Sequence, residues 1–231
     1  MKRRSDTVRD AFLVALAACG GAMDAASYLR LHAFTANMTG NTVILGLSAG
    51  GRHLADTVHA GLSIAAFAAG AFVGTLVGAE SSEKDPWPAK VAVPFVVEIA
   101  LLLAFAVCWT LLPAPDPALL LAVGSAAMGV QSGITHDVHL AGASTTYMSG
   151  TLARTMEFFA DTLRFGFNGG MVLNGVTWVV YLAAALAVGG LDERGGNVAV
   201  VLWAIPVVVA AVALGARPAV RAARVREQAS P

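Results

Sequence analysis

Apolar runs of about twenty residues alternate with short polar breaks along almost the whole chain, and bilayer hydrocarbon needs roughly 20 apolar residues per crossing helix. Six runs meet that need, at 11–29, 58–79, 91–112, 117–134, 169–190 and 197–215. They predict an all-α integral membrane protein of six transmembrane helices, a single membrane domain over 1–231. The pattern also repeats. Two polar segments, Phe34-Thr35-Ala36-Asn37-Met38-Thr39-Gly40-Asn41-Thr42 and Ser144-Thr145-Thr146-Tyr147-Met148-Ser149-Gly150-Thr151-Leu152, lie 110 residues apart. Each follows an apolar run that ends in a small-residue polar patch, Gly21-Ala22-Met23-Asp24-Ala25-Ala26-Ser27 in the first half and Gly129-Val130-Gln131-Ser132-Gly133 in the second. Three runs fall in each half, giving repeat one over 11–112 and repeat two over 117–215, with basic tails at 1–10 and 216–231.

The two polar segments are too short and too polar to cross, and glycine punctuates each, so they read as re-entrant or broken helices. Positive charge then sets the orientation. Six crossings with both termini cytoplasmic place the two tails, Lys84, Lys90, Arg154 and Arg164 inside and leave Arg30, Arg52 and Arg194 outside, a split of twelve to three among the 15 Lys and Arg. Eight crossings would move Lys84 and Lys90 outside. Three crossings per repeat turn the second repeat over in the membrane, so the polar segments enter from opposite faces and meet near the midplane, as broken helices of many secondary transporters do. Pro94 and Pro206 are expected to kink the third and sixth helices. Trp87 and Trp109 bracket the third as interfacial anchors.

Composition agrees with this picture and narrows it. The chain is 57% hydrophobic and 13% charged, against roughly a quarter charged in soluble domains. Its formal net charge is zero, which gives no support for nucleic-acid binding. Cys19 and Cys108 fall in apolar runs without metal or redox spacing and read as small buried hydrophobes. Leu16-Ala17-Ala18-Cys19 resembles a lipoprotein cleavage site, but cleavage there would cut the first helix in two, so an uncleaved helix is expected. Ala66, Gly70, Gly74 and Gly78 recur every four residues on the second helix. Such a stripe suits close internal packing or a homodimer interface.

Chemistry concentrates in few residues. Asp24 lies deep in the first helix and Glu98 well into the third, and an acid at helix centre costs roughly 2.5 to 3.5 kcal/mol on insertion scales. Both are therefore candidate ion or proton sites. The structural alternative has Asp24 hydrogen-bonded to the broken backbone around Thr39 to Thr42, locking the first polar segment, and Glu98 packed away or paired with an arginine. Asn37, Thr39, Gly40 and Asn41, with Thr146, Ser149, Gly150 and Thr151 in the second half, offer hydroxyl and amide groups at helix starts, where they cap the helix or bind a solute. Arg154 and Glu157 are spaced for an ion pair along one helix. Gln131 and Ser132 stand where the first half has Met23 and Asp24, so the halves are chemically unequal, and Asn174 adds one more polar group. His136-Asp137-Val138-His139 has too few neighbouring ligands for a metal site. No catalytic or cofactor-binding motif appears, and an enzyme is not expected.

The patch Gly21 to Leu29 with Phe34 to Asn41, and in the second half Met128-Gly129-Val130-Gln131 with Thr145 to Leu152, resemble the YoaK family of bacterial multi-pass membrane proteins that carry a domain of unknown function. The likeness covers nearly the whole chain except the tails. This chain has Ser132 where family members more often have Asn, and Ser149 where they more often have Thr. The resemblance implies a bacterial inner (plasma) membrane location and supplies no substrate. A small-solute transporter or channel with a buried acidic site is the expectation drawn from the residues themselves. A non-transporting scaffold or accessory subunit is the alternative, and an intramembrane enzyme comes third.

Overall fold

The computed structural model describes residues 2–79, 92–137, 148–165 and 172–211. Eight helices and no strand occur among the described residues: α1 Lys2–Leu31, α2 Met38–Gly51, α3 Leu54–Ala79, α4 Ala92–Leu111, α5 Pro117–Asp137, α6 Met148–Phe165, α7 Val172–Glu193 and α8 Ala199–Ala211. Four stretches, Asp10–Leu31, Leu54–Val77, Val93–Leu111 and Val172–Glu193, are long and apolar enough to cross a bilayer, while Pro117–Gly133 and Ala199–Ala211 are apolar but shorter. These six correspond to the six apolar runs of the sequence. The first polar segment is a six-residue break, 32–37, followed by a continuous helix, α2. Trp87 and Thr146 lie outside the described residues, as does most of the His136 to His139 cluster.

Local chemistry sets the helix ends. His32, with φ 55°, turns the chain out of α1, and Arg52, with φ 61°, closes α2 by donating its N–H to the carbonyls of Ala49 and Ser48. Asn37 caps the start of α2 by accepting from Gly40 N. Asp116 accepts from Ala118 N at the start of α5, and Asn197 accepts from Ala199 N at the start of α8. Pro94 sits in the first turn of α4, where its missing N–H breaks no helical bond. The interior kink expected there therefore has no cause. Around Pro206, α8 stays helical on both sides.

The bundle has an apolar core that also holds polar groups, and its outer surface is largely apolar. Buried polar side chains include Asp24, Ser63, Glu98, Ser125, Gln131, Thr151 and Thr177, while Leu47, Phe72, Val96, Leu111, Val179, Leu186 and Val207 are exposed. That distribution matches a molecule whose outer face meets hydrocarbon, which offers a polar group no partner. The free thiol of Cys19 is buried and that of Cys108 half-buried.

Two close crossings organise the interior. α1 packs on α7 where a Cβ at Gly21 would run into the backbone of Tyr181, and α3 packs on α5 where a Cβ at Gly129 would run into the backbone of Phe67. Gly70 and Gly74 meet the backbones of Ala126 and Val130 on α5 in the same way. The small-residue stripe of α3 is thus occupied within the chain by α5, through backbone contact that only small side chains permit. α2 lies on α3, and α6 on α7. At one end of the bundle the C-termini of α1, α4 and α7 come together: the Arg30 guanidinium lies 5.6 Å from the Trp109 ring centre and 3.9 Å from the Asp192 carboxylate.

Candidate functional site: a cavity between two helix starts

Asp24 organises the first polar segment. Its Oδ1 accepts from Ala36 N at 2.6 Å, from Asn37 N at 3.3 Å and from Thr35 Oγ1 at 3.5 Å, and its Oδ2 accepts from the Tyr181 hydroxyl at 2.5 Å. Both oxygens of a fully buried carboxyl are therefore engaged, by the break before α2 and by α7. This resembles the structural alternative read from the sequence, with one change: the bonded backbone is Ala36 and Asn37 ahead of α2, not Thr39 to Thr42. The amides preceding a helix lack intrahelical partners, so an acid reaching them from α1 satisfies donors that lipid cannot.

Asn41 braces the same break from the other side. Its amide accepts from Phe34 N at 2.8 Å, donates to Phe34 O at 2.7 Å, and donates to Ser63 Oγ at 2.9 Å. Ser63 in turn donates to Phe34 O, so in its 2.6 Å contact with Ser125 the proton must come from Ser125. A chain of neutral hydrogen bonds thus ties α2, the break, α3 and α5 together. Gly40 fits against the Phe34 ring, where a Cβ would clash.

Beside this framework lies a cavity of about 300 Å³. Ala36, Asn37, Met38 and Thr39 line it from the first half, and Ser132, Met148 and Ser149 from the second. The rings of Phe67 and Tyr181 complete the wall. Each ring belongs to one of the two residues met by a crossing glycine, so the close helix contacts also fix the cavity's aromatic sides.

Of the residues singled out by the sequence, Asn37, Thr39, Ser132 and Ser149 come together here, and Gly40 and Gly150 adjoin them. Asp24 stands one hydrogen bond behind the wall. Asn41 and Thr151 are buried elsewhere, and Gln131 donates to Leu16 O at 3.1 Å, tying α5 to α1. Asn174 is buried on α7 and its carbonyl accepts from Thr177. Arg154 and Glu157 are both exposed and form no ion pair with each other, because water offers each a partner at no ordering cost. Arg154 is also absent from the cavity wall. Glu98 is fully buried on α4, and neither of its carboxyl oxygens has a hydrogen-bond partner among the described residues; no described arginine pairs with it.

Phe67, Tyr181 and Ser63 went unrecognised in the sequence, where each sits in an apolar run, as did Met38 and Met148 inside the polar segments. Setting the buried hydroxyls Ser63 and Thr177 over one another would have paired Phe67 with Tyr181. The α2 start also differs from an open anion site. The amides of Met38, Gly40 and Asn41 already bond to Ala36 O, Asn37 Oδ1 and Asn37 O.

A family model described as a protein of unknown function (DUF1275) matches residues 12–215. The chain is 32% identical, over 187 residues that make up 78% of it and 82% of the relative, to the UPF0700 transmembrane protein YoaK of Bacillus subtilis (strain 168). No solved structure matches.

Proposed function

This chain belongs to the DUF1275 family of transmembrane proteins, and on that premise we propose that it passes a small solute across the membrane through the cavity between α2 and α6. The observation that carries the reading is that one cavity of about 300 Å³ is walled by the starts of both polar segments. A scaffold needs no such space, and packing its motifs shut would be more stable. The volume is at the lower end of the range for ligand pockets.

In this reading the protein has six crossings in two inverted halves. Support comes from the meeting of the α1, α4 and α7 C-termini at one end, since full crossings by α2 and α6 would set α4 antiparallel to α1. Further support comes from the exchange pattern of the packing. α1 on α7 corresponds to α5 on α3, α2 on α3 corresponds to α6 on α7, and Gly21 at Tyr181 corresponds to Gly129 at Phe67. The termini lie in the cytoplasm of a bacterial cell and the chain sits in its inner membrane. It catalyses no reaction, and solute passage needs no second copy of the chain. Asp24 holds the cavity wall in place, and Glu98 is the buried acid left free to take a proton or cation.

Cysteine labelling in a Cys19→Ala, Cys108→Ala background tests the arrangement with a membrane-impermeant reagent on oriented vesicles. Arg52→Cys, at the end of α2, is expected to react only from the outer face, Arg164→Cys near the end of α6 only from the cytoplasmic face, and Thr39→Cys in the cavity from both. Reaction of Arg52→Cys and Arg164→Cys from the same face, or failure of Thr39→Cys at either face, would end the reading.

A further inference from the structure

We infer that the solute is a small uncharged molecule that carries both hydroxyl or amide groups and apolar surface. This rests on the transport reading above and names the substrate class of the same cavity. Among the described residues, no Asp, Glu, Lys, Arg or His lines it. The polar wall is Asn37, Thr39 and Ser149, neutral groups that both donate and accept hydrogen bonds. Opposite chemistry comes from Phe67 and Tyr181, two rings from different halves, with the thioethers of Met38 and Met148 able to adapt to an irregular apolar surface.

The nearest charge decides against ions. Asp24 sits behind the wall with Oδ1 held by Ala36 N, Asn37 N and Thr35 Oγ1, and Oδ2 held by Tyr181. A cation in the cavity would have to share carboxylate oxygens that the chain already uses. An anion would face that same carboxylate, and three first-turn amides of α2, those of Met38, Gly40 and Asn41, are already bonded within the chain. Either ion would give up hydration with no charged group among the described lining residues, a cost that neutral hydrogen-bonding solutes avoid. At roughly 30 Å³ per water-sized unit, a space of about 300 Å³ admits a solute of about ten heavy atoms.

Stopped-flow light scattering on liposomes containing the full chain tests this, with erythritol and 1,2,6-hexanetriol as uncharged probes and choline and lactate as charged ones of similar size. The protein-dependent rates for the uncharged pair are expected to exceed those for choline and lactate by ~100-fold or more, as a buried unpaired charge requires. Faster passage of choline or lactate would overturn the solute class and leave transport standing. No rate above that of protein-free liposomes for any of the four would overturn the transport reading itself. Thr39→Asp supplies a second arm, because an acid in the first turn of α2 suits the helix dipole and preserves the fold. It is expected to raise choline passage at least ~10-fold; a folded Thr39→Asp protein that still excludes choline would show that wall charge does not select the solute, and the inference would fall.

Discussion

The two helices that begin at the cavity share their starting chemistry and little else. α2, Met38–Gly51, contains no charged residue and turns Val43 and Leu47 outward. α6, Met148–Phe165, exposes Arg154, Glu157, Asp161 and Arg164 at spacings of three, four and three, which puts all four on one face. Thr151, Thr155 and Phe158 are buried on a second face, while Leu152, Met156, Phe159 and Leu163 are exposed on a third. Held in hydrocarbon, the four charges of α6 would cost on the order of 10 to 14 kcal/mol on insertion scales, comparable to the whole stability of an ordinary domain. The charged face of α6 is therefore costly to hold in hydrocarbon, while its third face is apolar. The two helices that border the cavity thus differ in polarity. The residues at matching positions differ too: the first break is tied by a carboxyl and a phenol, Asp24 and Tyr181, where the second half has Ser132 and Phe67.

Six substitutions, two of them paired controls, break or sharpen this comparison, from the largest effect to the smallest. Asp24→Ala leaves two backbone amides and the Tyr181 hydroxyl unsatisfied and is expected to destabilise by about 3 to 5 kcal/mol, read as a drop in thermal unfolding temperature in detergent. Ser132→Ala should cost no more than about 1 kcal/mol by the same measurement, and equal losses would abolish the distinction between the halves. Leu47→Arg on α2 is expected to cost about 2.5 to 3.5 kcal/mol and to lower membrane yield. Ala160→Arg on α6, exposed at the edge of the charged face, should be tolerated, and a matching loss there would put α6 in lipid throughout. Glu98→Leu removes a buried acid without a partner and is expected to raise stability by about 1 to 3 kcal/mol; a loss would mean that the Glu98 carboxyl is satisfied in the folded protein. Arg154→Gln should change stability by less than about 0.5 kcal/mol, since its guanidinium holds no partner.

Much of this architecture was legible in residue order alone. The six apolar runs correspond to helices because length and hydropathy are local properties. Gly21 and Gly129, placed in register by the likeness of their patches, mark the two close crossings, and Asn37, Thr39 and Ser149 line one cavity. What could not be read was which distant residue completes each local feature. Tyr181 reaches Asp24 across 157 residues of sequence, and nothing in an apolar run distinguishes a tyrosine that bonds an acid from one that fills a core. Glu98 posed the reverse difficulty. A buried acid invites a partner, and its isolation becomes visible only when neighbouring helices are in place. The unpaired state of Arg154 and Glu157 follows from exposure, which spacing along one helix does not reveal.

The outer clasp formed by Arg30, Trp109 and Asp192 has a mechanical consequence. Its ion pair is long and partly exposed, so it parts at small cost, whereas the crossings at Gly21 and Gly129 hold backbone against backbone and resist sliding. A bundle built this way is stiff at its waist and loose at its rim. Any rocking of one half against the other turns on those two glycines as an axle, and a side chain as small as a single methyl at either would jam it.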